Sequence, residues 1–268
     1  MSSVLVPTSL TEALQLLAAD NQLTPLAGGT DFMVEVNHGI RRPTRVLALR
    51  AIDELKGWHR DGNQLVIGAG CTYAAMEDPA FVALAPGLAQ AARTVGSPQI
   101  RNAGTIGGNL ATGSPAGDTL PVLMAVGATI DAASTAGDHS LGVDELIVGV
   151  KRTVLQPSEL IRSVRLPVAT GPQEFLKIGT RNAMVISTAG VAVALDTDNH
   201  TVGCGLGSGT AAPTRAPDAE TFAADAIDWS TLRADADVVD RFGALAAEAS
   251  SPIDDHRSTA AYRRHAIG

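Results

Sequence analysis

The sequence predicts an α+β protein in two parts, a larger N-terminal domain over residues 1–167 and a smaller C-terminal domain over 173–268. Three observations lead there. Strand-like and helix-like segments alternate around two glycine-rich stretches, the Thr/Gly/Pro-bearing connection Pro167 to Pro172 interrupts them, and three strand-like runs follow in succession.

Ser9-Leu10-Thr11-Glu12 has the form of a capping box, and Leu10, Ala13, Leu14 and Leu17 follow at helical spacing, which predicts an amphipathic helix after an N-terminal strand. Leu23 to Ala27 reads as the next strand and Arg45 to Leu49 as a third, giving a parallel β-α-β start. Asp61-Gly62-Asn63 is a turn signal, with a strand beyond it over Gln64 to Ala69. Tyr73 to Met76 and Gly87 to Val95 read as helical, and the second delivers the chain into a long loop. After the loop, Thr119 to Val126 is an apolar helix with Asp118 at its N-cap. Thr129 to Ala132, Ser140 to Gly142 and Glu159 to Leu166 supply short strands. Past the connection, Glu174 to Ile178, Ile186 to Leu195 and Val202 to Gly207 read as a three-stranded antiparallel sheet, and the Ala/Asp/Glu-rich segment Ala219 to Ala249 as helical.

The loop, Gly96 to Asp118, is the stretch the chain is organised around. Gly104, Gly107, Gly108, Gly113 and Gly117 are expected to let its backbone turn through positive φ and point bare N–H groups at one anion. Thr105, Asn109, Thr112, Ser114 and Asp118 add neutral donors and a single carboxylate, a set that suits a pyrophosphate and its ribose. A shorter stretch, Pro25-Leu26-Ala27-Gly28-Gly29-Thr30-Asp31, has the same character at a strand end, so two loops are expected to close on one nucleotide cofactor. Gly-x-Gly-x-x-Gly and Gly-x-x-x-x-Gly-Lys are both missing, which argues against a Rossmann-type or P-loop cradle.

Composition narrows the function. A net charge of −8 with no long basic run argues against nucleic acid as a partner. Cys71 and Cys204 stand far apart without a Cys-x-x-Cys motif, so an iron–sulfur or thiolate zinc site within this chain is excluded and reduced, buried thiols are expected. The six histidines are scattered and none pairs at helical metal spacing. No apolar run approaches the roughly 18 residues of a membrane span. The start, Met1 to Pro7, lacks a basic region followed by a long apolar core, so neither membrane insertion nor secretion is expected and the cytoplasm is the default.

Ala27-Gly28-Gly29-Thr30-Asp31, Gln99-Ile100-Arg101-Asn102-Ala103-Gly104-Thr105-Ile106-Gly107-Gly108-Asn109-Leu110, and Ser114-Pro115 followed by Asp118 resemble the FAD-binding medium subunit of molybdenum hydroxylases, the xanthine dehydrogenase and carbon monoxide dehydrogenase relatives. Phe175-Leu176-Lys177 with Arg181, and Asp254 to Ser258 with Tyr262-Arg263-Arg264, extend the resemblance over nearly the whole chain. It implies a two-subdomain FAD-binding domain of the vanillyl-alcohol-oxidase (PCMH) type, with subdomains of about 1–55 and 56–167, then a C-terminal domain of three strands with helices. It further implies that Leu26, Ala27, Gly28, Gly29, Thr30, Asp31, Val95, Thr105, Ile106, Gly107, Gly108, Asn109, Thr112, Ser114, Asp118, Ile161 and Lys177 contact FAD. A large subunit with the molybdenum cofactor and a small subunit with [2Fe-2S] clusters are the implied partners. Electrons then pass through FAD to an external acceptor such as NAD, oxygen or a quinone, and no residue is assigned as a proton-transfer catalyst.

Two departures stand out. Family members often set an aromatic residue against the flavin ring, whereas this chain, 3% aromatic, offers Val95, Ile161 and Met184-Val185. Its C-terminus also stops soon after Tyr262-Arg263-Arg264, with a final helix missing or shortened. These motivate one alternative, a free-standing FAD oxidoreductase reduced directly by a nicotinamide donor or small substrate; a cofactor-free assembly scaffold is a third reading, from a different class.

Overall fold

A computed structural model describes residues 3–268; Met1 and Ser2, part of the stretch read for a leader, lie outside the described residues. The chain opens with β1 (Ser3–Leu5), α1 (Leu10–Ala19), β2 (Thr24–Leu26), α2 (Phe32–Asn37) and β3 (Arg45–Ala48). The three strands form a parallel sheet of order β1-β3-β2. Ser9 caps α1 by accepting from the Glu12 N–H at 3.2 Å. Glu12 reaches back to the Thr8 N–H at 2.9 Å, one residue outside the expected box. The helix buries Ala13, Leu14 and Leu17, the face its spacing predicts.

A second sheet holds β4 (Trp58–Asp61), β5 (Gln64–Gly68), β6 (Thr129–Ser134), β7 (Gly137–Gly142) and β10 (Leu160–Pro167). It is antiparallel throughout, in the order β4-β5-β10-β6-β7. Strand β4 escapes the sequence reading because, at the sheet edge, only Trp58 is partly buried and no apolar alternation marks it. The connection between β7 and β10 carries a short helix, α8 (Val143–Leu146), and a small hairpin of β8 (Ile147–Gly149) and β9 (Arg152–Thr153).

The stretch from Gly96 to Asp118 is not one loop. After α3 (Pro79–Leu84) and α4 (Pro86–Thr94) it folds into α5 (Pro98–Ala103) and α6 (Ile106–Thr112), followed by α7 (Thr119–Ala125). Ser97 caps α5 with Pro98 in its first turn, Thr105 caps α6 by accepting from the Gly108 N–H at 3.0 Å, and Gly113 ends α6 at φ 59. Those caps are legible in the sequence, but Gly107-Gly108, poor helix formers, mask them. Of the five glycines expected at positive φ, Gly113 alone adopts it. Gly107 is required by packing instead, since a Cβ there would lie 2.7 Å from the Ala69 carbonyl oxygen.

The C-terminal part forms a sheet of order β11-β12-β13-β14 from Gln173–Ile178, Ala189–Asp196, Thr201–Gly207 and Thr214–Arg215. The three expected strands are there, joined by a two-residue fourth. The expected helical segment divides into α9 (Pro217–Ala226) and α10 (Ala236–Glu248) around a bridge between Asp228 and Arg233. A final helix, α11 (Ala260–Ile267), is present and carries Tyr262-Arg263-Arg264. Every residue of α7 is buried, and it lies on β13, where a Cβ at Gly203 or Gly205 would overlap the carbonyl oxygens of Ala125 and Pro121. One core spans the first two sheets and reaches into β11 and β12; a smaller one, with Cys204, Leu206 and Ile267, lies under the C-terminal helices.

Inside the second sheet Asp131 accepts from Arg165, Ser140 and Ser163. Burial opposes its ionisation, but those hydrogen bonds outweigh it and hold the carboxyl at about 2 instead of 3.8. The stabilisation is therefore complete above 3.8 and is lost as pH falls through about 2. Asp131→Asn is expected to lower the unfolding free energy near neutral pH by about 1–3 kcal/mol in urea melts. The gap to the wild type should close between 3.8 and about 2; a gap independent of pH contradicts this role.

Candidate functional site

A cavity of about 1510 Å³ lies between the two N-terminal sheets and extends to the C-terminal domain. Main-chain bonds fix its floor: the N–H groups of Tyr73, Ile106 and Gly107 donate to the carbonyls of Gly104, Cys71 and Ala69 at 3.1, 3.1 and 2.9 Å. Gly28 presses against the end of α5 so closely that a Cβ would overlap the Ala103 carbonyl. The two glycine-rich stretches thus meet backbone to backbone.

Their roles differ from expectation. In the central stretch the N–H groups of Ile106, Gly107, Gly108 and Asn109 all have protein acceptors, respectively Cys71, Ala69 and the Thr105 side chain and carbonyl. They are not bare. In the shorter stretch the N–H groups of Gly28, Gly29, Thr30 and Asp31 meet no acceptor among the described residues, and all four residues line the cavity. An unpaired N–H facing a cavity carries a desolvation cost that an anionic ligand removes, and the shorter stretch presents four of them.

All of the sequence-nominated residues except Ile106 and Lys177 line the cavity, among them Leu26, Ala27, Val95, Thr105, Asn109, Thr112, Ser114 and Ile161. Ile106 is fully buried beneath the floor. Lys177 lies behind the wall, where it donates to Asp118 Oδ2 at 2.6 Å and to the Thr94 carbonyl at 3.2 Å. Asp118 occupies the N-cap position of α7 but makes no side-chain capping bond, because its carboxylate is turned to Lys177 and to the Thr94 hydroxyl at 3.2 Å. Its second oxygen, Oδ1, is buried with no partner. Burial pushes the Asp118 carboxyl above the usual range, while Lys177 and Thr94 pull against it. A buried acceptor without a partner is uncommon in a native protein and marks this carboxylate out.

Asp31, the first residue before α2, faces Lys151 at 3.6 Å, and Lys151 pairs with Glu35 at 2.8 Å. The hydrogen bond from Lys151 is the main cause of a lowered Glu35 carboxyl pKa. Lys151 thereby ties the β8–β9 hairpin to α2 across the cavity rim. Sequence reasoning assigns no site role to Lys151, Tyr73, Phe32, Ile186 or Ser208, which line the cavity together with Val185 and Arg263, two residues the sequence does bring forward. Their only common feature is spatial. Tyr73 is buried, and burial first, then the charges of Asp118 and Asp31, push its phenol pKa up. Cys71 is a buried wall residue whose thiol burial pushes up to about 12, so it stays protonated.

The arrangement fits a dinucleotide. Ordinary small-molecule pockets hold about 300–1,000 Å³, and this one is larger, with unclaimed N–H groups, an orphan carboxylate oxygen and apolar walls. Residues 1–169 match the family model described as the FAD binding domain in molybdopterin dehydrogenase, and residues 174–268 that of the CO dehydrogenase flavoprotein C-terminal domain. The chain belongs to this flavoprotein family. It is 33% identical to the nicotinate dehydrogenase FAD-subunit of Eubacterium barkeri, over 72% of this chain and 68% of that one. The carbon monoxide dehydrogenase medium chain of Afipia carboxidovorans is 29% identical, over 98% of this chain and 91% of that one. The putative xanthine dehydrogenase FAD-binding subunit of Escherichia coli K12 is 32% identical, over 84% and 80%. A solved structure of carbon monoxide dehydrogenase from Hydrogenophaga pseudoflava superposes at a TM-score of 0.89 with 26% identity, covering 99% of this chain and 93% of that one. The chain is thus an FAD-dependent oxidoreductase subunit with the family's α+β fold, and FAD is its cofactor. No helix among the described residues is long and apolar enough to cross a membrane.

Two glycines separate fold from grip. Gly28→Ala places a methyl on a main-chain carbonyl and is expected to cost roughly 2 kcal/mol or more of stability and to abolish FAD uptake. At Gly108 a Cβ meets only the Thr105 hydroxyl, at 3.0 Å. Gly108→Ala is expected to change stability by less than about 1 kcal/mol, since alanine favours helix, yet to weaken FAD binding at least tenfold. Urea melts of the apo chain and fluorescence titration with FAD measure both; equal effects at the two sites contradict the assignment.

Proposed function

We propose that this chain is the flavin-bearing link of a molybdenum hydroxylase assembly. It takes electrons from [2Fe-2S] clusters on a small subunit, which receives them from a large subunit with the molybdenum cofactor, and delivers them to an external acceptor such as NAD, oxygen or a quinone. The support is the family membership together with one feature of the site: four neighbouring main-chain donors without acceptors among the described residues, lining the same cavity as a buried, half-satisfied carboxylate. FAD, when bound, supplies the capacity to accept electrons singly and release them as a pair.

The residues have the following parts. The N–H groups of Gly28 to Asp31 hold the diphosphate, with the Thr30 hydroxyl beside them. Asp118 Oδ1 accepts from a ribose hydroxyl, and Lys177, bonded to Oδ2 from behind the wall, opposes the effect of burial on that carboxyl and aims it. Thr105, Asn109, Thr112 and Ser114 line the cofactor's polar length. Val95 and Ile161 supply apolar surface for the ring. Residues 1–167 act as the FAD-binding domain and 173–268 as the domain that closes the far end of the cavity. No side chain is required to move a substrate proton, since the substrate is transformed on the large subunit.

The test is reconstitution. Mixing the FAD-loaded chain with its molybdenum and iron–sulfur partner subunits is expected to give substrate-dependent bleaching of the flavin absorbance, dependent on both partners. Bleaching by a nicotinamide donor or small substrate with the isolated monomer, at the same rate as in the assembly, would instead favour a free-standing enzyme.

A further inference from the structure

A second, smaller cavity of about 280 Å³ lies in the C-terminal domain, walled by Ile178 and lined by Thr180, Thr188, Arg257, Ser258 and Tyr262. Arg257 also lines the large cavity, so the two are neighbours through one side chain. The small cavity belongs to none of the FAD-binding functions described above.

Thr188 carries the first observation. It is 3% exposed, its N–H donates to the Ile178 carbonyl at 2.8 Å, and its carbonyl accepts from Arg263 at 2.9 Å. Its backbone is satisfied, but its side-chain Oγ1 is buried with no partner. A buried, unpaired hydroxyl is destabilising by the desolvation it suffers, and one that lines a cavity is placed to meet a ligand.

Charge is the second observation. Asp255 accepts from the N–H groups of Arg257 and Ser258 at 2.8 and 3.1 Å, and from Arg263 at 2.7 Å. Arg257 adds one bond of 3.2 Å from a single guanidinium nitrogen. One carboxylate thus faces two guanidinium groups, which leaves a net positive charge and most of the Arg257 fork uncommitted. No carboxylate lines the small cavity; its polar side chains are four hydroxyls and that guanidinium. In a chain of net charge −8, such a local excess of donors is the exception. A planar fork beside several hydroxyls matches tetrahedral oxyanions, whose several oxygens accept bidentate and single hydrogen bonds together. With Tyr262 48% exposed at its edge, the cavity is open to solvent and large enough for one phosphoryl group and a short substituent.

We propose that this cavity binds a phosphate monoester or inorganic phosphate, with Arg257 countering its charge and Thr188 donating the hydroxyl that has no partner among the described residues. Occupancy then reaches the flavin cavity through Arg257. Calorimetric titration of the FAD-loaded full chain, whose larger cavity is already filled, with inorganic phosphate and, separately, with AMP tests the idea and distinguishes the sources. Binding at one site per chain by phosphate with AMP excluded supports a free-phosphate site; AMP binding that phosphate competes away supports a nucleotide phosphate. Thr188→Val, nearly isosteric, is expected to weaken binding roughly tenfold, because a hydrogen bond to a charged group is lost. Without phosphate its melting temperature should equal or exceed that of the wild type. Arg257→Gln should abolish binding and Arg257→Lys retain part of it. Absence of binding by both probes overturns the proposal, as does unchanged affinity in Thr188→Val. A lower melting temperature for that variant without phosphate also overturns it, since the hydroxyl would then serve the fold. FAD uptake, read from flavin absorbance in the same samples, keeps this result separate from the fate of the flavin assignment.

Discussion

Everything in this molecule depends on a main-chain contact that leaves no room for a side chain, Gly28 against the carbonyl of Ala103. It brings the turn after β2 onto the end of α5 and so joins the parallel sheet to the antiparallel one. The hydrogen bonds from Tyr73, Ile106 and Gly107 lock the opposite side of the same junction. With both edges fixed by backbone, main-chain contacts set where the walls of the space between the sheets stand.

The two glycine-rich stretches divide the labour. In the central stretch Gly107 permits close packing and the helix-start donors are consumed by the protein, so it acts as wall and floor. The shorter stretch keeps its donors free, which costs stability until an anion arrives. Asp118 shows the same pattern: one oxygen is held by Lys177, a residue of β11, and the other has no partner among the described residues. That buried pair and the packing of α7 on Gly203 and Gly205 make the C-terminal domain part of the site's construction. A buried ion pair is a poor source of net stability but a strict determinant of geometry, which suits a carboxylate that must point one way.

Much of the fold was legible because its cues are local. Ser9 before Leu10, Ala13, Leu14 and Leu17 marks α1, and the alternation of Gln64 to Gly68 marks β5. What was missed had no apolar period, as in the polar edge strand β4, or had its signals contradicted, as with Gly107-Gly108 inside α6. Most of the nominated residues line the cavity, but which of their amides are free was misread. Gly28 to Asp31 and Asp118 are conspicuous in the sequence, yet which amides are free depends on where Ala69 and Cys71 fall, and that is tertiary information. Lys177 was nominated through the resemblance, but its bond to Asp118 behind the wall was not legible, nor was Lys151, whose partners Glu35 and Asp31 are remote in sequence.

The central claim is that the protein grips its cofactor by the diphosphate and ribose, with the ring held more loosely between aliphatic walls. Titration of the apo chain with FAD and with FMN, under identical salt and pH, tests it most directly, since FMN keeps the ring and loses the diphosphate and adenosine. FAD is expected to bind one per chain and at least a hundredfold more tightly than FMN. Equal affinity for the two would show that the ring carries the binding, and the free amides of Gly28 to Asp31 would then need another explanation.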